Sequence, residues 1–198
     1  MYSPSIQKLI KIFSKFPTVG PRTAARFVFY LMRLSKEEID NITKSINELK
    51  EKVKICSFCF NSFEDEGNLC KICKDNSRDK TLLCIVEKEI DLVPLENTKK
   101  YLGRYFILGG TISSFKKTDV EKLRTKELKQ KINANPEIKE IIIALNPTIE
   151  GQTTARYLEK LLRPLGKKIT RLGQGLPMGG EIEYSDEETI EKALEGRK

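Results

Sequence analysis

The chain has 198 residues, 39% hydrophobic and 32% charged, with five cysteines, no histidine and a formal net charge of +8. That mix predicts an ordinary soluble protein of two or three small units, each with a real core. No apolar run approaches a membrane span, and Met1–Lys15 alternates apolar with basic residues where a signal peptide needs an unbroken apolar block. The cytoplasm is therefore the expected compartment, no membrane is an expected partner, and the commonest general base is excluded from any mechanism.

The charge is not spread evenly. Met1–Lys36 holds seven cations (Lys8, Lys11, Lys15, Arg22, Arg26, Arg33, Lys36) and no acid, while the remainder carries 29 basic and 28 acidic residues. A field concentrated in this way suits phosphate backbones or an acidic membrane surface, and nucleic acid is the favoured partner.

Ser5–Phe16 repeats Ile6, Leu9, Ile10 and Phe13 at helical spacing. Pro17 stops that helix, Gly20 permits a tight turn, and Pro21 opens a second helix that runs to about Leu34. Helix, glycine-containing turn, helix is the layout of a helix-hairpin-helix element, whose exposed N–H groups meet phosphate without reading bases. Arg22 and Arg26 lie one turn apart on the second helix. A plain αα-hairpin with solvated arginines fits the same residues. Ser35-Lys-Glu-Glu38 is a capping box, and the third helix it starts repeats Ile39, Ile42, Ile46, Leu49 and Val53 on one face. That face is expected to pack the hairpin.

Four cysteines follow as Cys56-Ser-Phe-Cys59 and Cys70-Lys-Ile-Cys73. Two residues inside each pair let both sulfurs turn to one point, and the ten-residue connection can bring the pairs face to face around one structural Zn²⁺. A disulfide staple would need an oxidising compartment, and a redox pair usually comes singly. Cys84 sits apart in an apolar run and reads as an inert core residue.

From Thr81 the pattern becomes α/β. Strands are expected at Thr81–Val86, Tyr105–Leu108, Glu140–Leu145 and Lys168–Leu172, and helices at Ile90–Thr98, Asp119–Asn133 and Thr153–Leu162. The mixed charges of Asp119–Asn133 suggest a solvent-facing helix. Such alternation implies a mostly parallel sheet covered on both faces. Ligands of such sheets sit at the carboxyl ends of strands, which puts Glu87 and Asn146–Gly151 in one region. Gly173–Gly180 is glycine-rich but lacks the Gly-Lys-Ser/Thr ending of a phosphate loop. An acidic helix from about Asp186 to Leu194 closes the sequence.

Glu87 after one strand, and Leu145-Asn-Pro-Thr-Ile-Glu-Gly151 after another, resemble the two motifs of a Toprim domain, which topoisomerases and primases use for Mg²⁺-dependent phosphoryl transfer. The pattern at the second strand is Asp-x-Asp-x-x-Gly, and here those positions are Asn146 and Thr148. Neither is charged, so poor Mg²⁺ affinity and no catalysis are expected. The alternative is a Mg²⁺-dependent Toprim nuclease or primase using Glu87 and Glu150.

The whole order, with Val19-Gly-Pro-Arg-Thr-Ala24, Gly103-Arg-Tyr-Phe106, Asn146-Pro-Thr-Ile-Glu-Gly151 and Gly175–Glu183, resembles the RecR family of bacterial recombination mediators over the full length. The resemblance implies a helix-hairpin-helix region at 1–54, a Cys₄ zinc finger at 55–79, a Toprim domain at 80–172, and a C-terminal oligomerisation segment at 173–198. It further implies a non-catalytic DNA-repair factor that forms a ring-like homo-oligomer, commonly a tetramer. With RecO and RecF, such a factor helps load RecA onto single-stranded DNA. Carried over, DNA contact falls on Arg22 and Arg26, with Lys15 beside them, zinc on Cys56, Cys59, Cys70 and Cys73, and RecO contact on Glu150. Two positions depart from the family pattern. Thr18 stands where a glycine is usual, so a turn needing positive φ would be strained there, and Gln152 replaces a glutamate.

Overall fold

The computed structural model of the chain describes residues 2–113 and 117–197. Two compact units emerge, Met1–Val53 and Lys54–Lys198.

The first unit is three helices. Helix α1 (Pro4–Phe13) starts with proline at its first position, where the missing N–H costs nothing. It ends three residues before the expected Phe16. The Ser14 N–H and hydroxyl both donate to the Ile10 carbonyl, and the Lys15 and Phe16 N–H groups reach back only three residues, to Ile12 and Phe13. That tight exit leads to Thr18 at φ +62. The expected positive-φ turn is therefore present, and a β-branched residue holds it at a cost of roughly 1–2 kcal/mol relative to glycine. Helix α2 (Pro21–Leu31) follows an extended Gly20 and buries Ala24 and Val28, one turn apart. Phe13 meets Phe16 and Phe27 edge-on.

Helix α3 (Lys36–Lys52) begins with the expected capping box: Ser35 Oγ accepts from the Glu38 N–H, and the Glu38 carboxylate accepts from the Ser35 N–H at 2.7 Å. The bond from the Ser35 backbone holds the Glu38 carboxyl below its ordinary range. The apolar face of α3 departs from expectation. No α3 side chain is buried, and Ile46 and Leu49 are each 60% exposed. The i, i+3, i+4 spacing forms the helix correctly, but the hairpin, with few buried residues of its own, does not cover the stripe.

The second unit opens with a two-stranded hairpin, β1 (Lys54–Ile55) against β2 (Ser62–Phe63), and a short helix α4 (Lys71–Lys74). A four-stranded parallel sheet follows, in the order β4-β3-β5-β6. Its strands are β3 (Asp79–Val86), β4 (Gly103–Ile107), β5 (Glu140–Ala144) and β6 (Lys168–Arg171). Because side chains alternate along a strand, Leu83, Ile85, Phe106, Ile141 and Ile143 face one way, joining Leu128, Ile132, Leu158 and Leu162. Cys84, Val86, Tyr105, Ile107 and Ala144 face the other way, against Leu92 of helix α5 (Glu89–Asn97). Each fully buried side chain of this size stabilises by roughly 1.5–3 kcal/mol, so both faces of the sheet are cores. Burial pushes the Cys84 thiol up to about 12, consistent with an inert core residue.

The single helix expected over Asp119–Asn133 is two, α6 (Lys117–Lys122) and α7 (Thr125–Ala134). The break lets Leu123 bury and sends the Arg124 N–H to the Leu108 carbonyl at 3.0 Å. Nor does α7 face only solvent. Leu128 and Ile132, four apart, are buried beneath its charges. Helix α8 (Ile149–Leu162) starts four residues earlier than expected because Thr148 caps it, accepting the Gly151 N–H at 3.1 Å. Helix α9 (Glu187–Glu195), capped by Asp186, lies near the C-terminus.

Candidate metal centre and nucleic-acid interface

The ligating atoms of Cys56, Cys59, Cys70 and Cys73 all lie within 4.8 Å of one another, and all four residues are buried. Sulfurs bonded at about 2.3 Å around tetrahedral zinc lie roughly 3.8 Å apart, and Cys59 and Cys70 are at 3.5 Å without a bond between them. The two CxxC turns arise locally. Cys56 N–H bonds to Asn61 O across the β1–β2 hairpin, Phe60 turns the chain at φ +66, and Cys70 sits at the start of α4. Backbone N–H groups point into the cluster, Asn61 to Cys59 Sγ and Cys70 to Cys56 Sγ, each at 3.4 Å. Such donors favour the thiolate, the form that binds metal. The acidity follows: Cys56 is driven well below the usual thiol range, first by Cys59 and then by Cys70 and Cys73 donating to it. Cys59 and Cys73 are pushed up, foremost by their bonds to Cys56. Four soft donors, closed in on every side and unable to ionise together unaided, fit one metal ion with no open coordination position.

This centre is bound to the sheet. Leu108 N–H points inward to Val86 O, so the Ile107 N–H points out of the β4 edge, and it donates to the Cys59 carbonyl at 2.9 Å. Phe60 meets Phe106 edge-on at 5.4 Å, Arg124 stands over the Phe60 ring at 4.7 Å, and Arg104 over Phe58 at 5.1 Å. Between the centre and β3, Arg78 makes a two-pronged pair with Glu96 of α5 at 2.7 and 2.5 Å. That pairing, before any other influence, holds the Glu96 carboxyl below its usual range.

At the carboxyl ends of β3 and β5, Glu87 and Asn146 come together, with Asn146 Nδ2 donating to Glu87 Oε2 at 3.2 Å. The other Glu87 oxygen pairs with Lys88 Nζ at 2.8 Å. Glu87 is only 7% exposed. Both oxygens thus have donors from the chain itself. Thr148 does not join them, because its hydroxyl caps α8. The turn between is tight: a Cβ on Gly151 would sit 1.9 Å from the Asn146 carbonyl oxygen. Glu150 is exposed on the first turn of α8, and Gln152 accepts from Arg171 at 2.9 Å.

Lys15, Arg22 and Arg26 are exposed on the first unit, with Arg22 in the first turn of α2. Gly20 offers no capping side chain, so the first-turn N–H groups of Arg22 and Thr23 are left to an outside acceptor. Sequence reasoning missed Lys88, Arg104 and Arg124. Lys88 follows Glu87 directly, and Phe58 and Phe60 flank Cys59, but which cation meets which group is a tertiary fact that no spacing encodes.

Three family models match the chain: "RecR, helix-hairpin-helix" over residues 6–50, "Toprim domain" over 81–173 and "RecR, C-terminal" over 175–198. Among similar proteins, "Recombination protein RecR" of Heliobacterium modesticaldum is 41% identical over 197 residues, covering 100% of this chain and 98% of that protein. The protein of the same name from Bifidobacterium animalis subsp. lactis is 43% identical, covering 100% and 97%. That of Gloeobacter violaceus is 41% identical, covering 100% and 99%.

Proposed function

The chain belongs to the RecR family of recombination proteins, and from that premise we propose that it is a non-catalytic, DNA-binding mediator of recombinational repair. It acts in the cytoplasm with RecO and RecF to help load RecA onto single-stranded DNA. Arg22, Arg26 and Lys15 hold phosphates, and the exposed Glu150 contributes to RecO contact. Zn²⁺ on the four cysteines is structural. When bound it would crosslink the β1–β2 hairpin to α4 through the four thiolates, and would supply no chemistry beyond that.

The observation that carries this reading is the state of the Toprim pocket. Glu87 is already engaged by Lys88 on one oxygen and by Asn146 on the other, and the two positions where the Toprim pattern has aspartates are Asn146 and Thr148. A hard Mg²⁺ ion seeks several oxygen ligands, and this pocket presents an amide donor and an ammonium in their place. The uncompensated positive charge lies instead on the first 36 residues. The domain boundaries that this function uses are 1–54, 55–79, 80–172 and 173–198. Ring-like self-assembly, as a tetramer, is supported by apolar side chains standing in water at both ends of the chain: Ile46 and Leu49 on α3, and Met178, Ile182 and Tyr184 before α9.

The test is a titration of labelled single- and double-stranded DNA against wild type and Arg22→Ala/Arg26→Ala, across a salt series with Mg²⁺ present. Affinity should fall steeply with salt, the variant should lose most of it, and the DNA should stay intact. Cleavage or primer synthesis that Glu87→Gln abolishes would instead establish a Toprim enzyme.

A further inference from the structure

We propose that the open cleft between α1 and the first half of α2 receives an unpaired nucleobase, so that the N-terminal unit prefers single-stranded DNA to duplex. The proposal rests on the DNA-binding reading above and adds a site that reads the base rather than the phosphate.

The cleft has a volume of about 370 Å³ and is lined by Tyr2, Ile10, Lys11, Pro21, Arg22 and Ala25, with Gln7 at one end. Small-ligand sites run from about 300 Å³ upward. Ile10, Pro21 and Ala25 make an apolar wall. Tyr2, 52% exposed, offers an aromatic ring beside it. That ring is held before any ligand arrives, since it stands edge-on to Phe29 at 5.4 Å and Gln7 Nε2 donates to the Tyr2 carbonyl at 2.8 Å. Lys11 and Arg22 supply positive charge to the lining, and Arg22 lies in the first turn of α2.

An apolar slot with a fixed aromatic ring and two cations in its lining matches the chemistry of a nucleotide: a flat, π-faced base joined to an anion. Aromatic side chains that stack bases, next to cations that track the backbone, are how single strands are held without sequence preference. In a duplex the bases are stacked and paired, and extracting one carries an unstacking cost, so only a single strand fills the cleft freely. The charge favours this occupant over a segment of protein. With seven cations and no acid in the first 36 residues, the surroundings attract a polyanion.

The experiment compares oligothymidine with an abasic oligomer of equal length, which carries the same phosphates and no bases, on the full-length protein across a salt series. Wild type should bind oligothymidine at least about fivefold more tightly than the abasic strand. Tyr2→Ala should erase that preference while leaving the dependence of affinity on salt unchanged, because the phosphate contacts remain. Tyr2→Phe should keep the preference, and Ala25→Leu, which fills the cleft from the α2 side, should remove it. Equal binding of the two strands by wild type, or a preference that survives both Tyr2→Ala and Ala25→Leu, overturns the proposal. So does a change in oligomeric mass in those variants with the preference intact, which would make the cleft a subunit contact. Failure of the underlying reading looks different: neither strand would then bind in an Arg22-dependent way.

Discussion

Two places in the second unit offer metal chemistry, and they resolve in opposite ways. In the cysteine cluster the donors are soft, converge from two turns, and drive one another's acidity apart, so the site is unsatisfied until a cation enters. In the Toprim pocket the Glu87 carboxylate is satisfied already, by Lys88 on one oxygen and Asn146 on the other. A metal site is made by an excess of ligand charge that the protein cannot neutralise by itself. Where the chain supplies its own cation, a fold associated with Mg²⁺ chemistry becomes a scaffold. This contrast is what lets the proposed binding role sit on a fold associated with phosphoryl transfer.

The largest expected effect is on the soft site. Chelation of the metal, or Cys70→Ser, should unfold the hairpin and α4 and lower the melting temperature of the second unit, since structural zinc contributes on the order of 10 kcal/mol. Circular dichroism with zinc analysis checks it, and an unchanged melting curve in metal-free protein would remove the structural role. A smaller effect should appear where the chain passes from that site into the sheet. Arg78→Ala leaves Glu96 part-buried without its partner and should cost about 1–3 kcal/mol. Because pairing depresses the folded-state acidity of Glu96, its contribution is present above the ordinary carboxylate value of about 4.3 and is lost as pH falls below it. Denaturant midpoints of wild type and Arg78→Ala should therefore converge in acid; a gap that is constant with pH would argue against the pair. The smallest effect, and the sharpest on the contrast itself, is a rebuilt hard site. Asn146→Asp/Thr148→Asp with Lys88→Ala should gain about 1.4 kcal/mol when Mg²⁺ stands at ten times its dissociation constant, while wild type is unmoved. Equal response of the two to Mg²⁺ in thermal melts would mean that the native pocket binds the ion after all.

What could be read along the chain was whatever neighbouring residues decide. The CxxC spacing, the Ser35–Glu38 box, the buried runs of β3 and β5, and the proximity of Glu87 to Asn146 all follow from local periodicity and parallel-strand logic. The positive φ at Thr18 was signalled only through the family resemblance, in whose pattern a glycine holds that position. What escaped depends on groups distant in sequence. The break between α6 and α7 exists because Arg124 reaches the end of β4. The charges of α7 concealed Leu128 and Ile132, whose burial needs a sheet to lie against. The α3 stripe has helical spacing, but spacing does not say what covers it.

The Ile107 N–H to Cys59 carbonyl bond has a consequence for the border of the sheet. Strand β4 ends the sheet, and an uncovered border strand invites another chain to add to it. The cysteine knuckle occupies that border with a peptide carbonyl and two phenylalanine rings. Metal binding at the four cysteines would thereby also guard the edge of the sheet. Protein stripped of the metal is expected to present that border as an open template and to self-associate, which light scattering of chelated protein would detect.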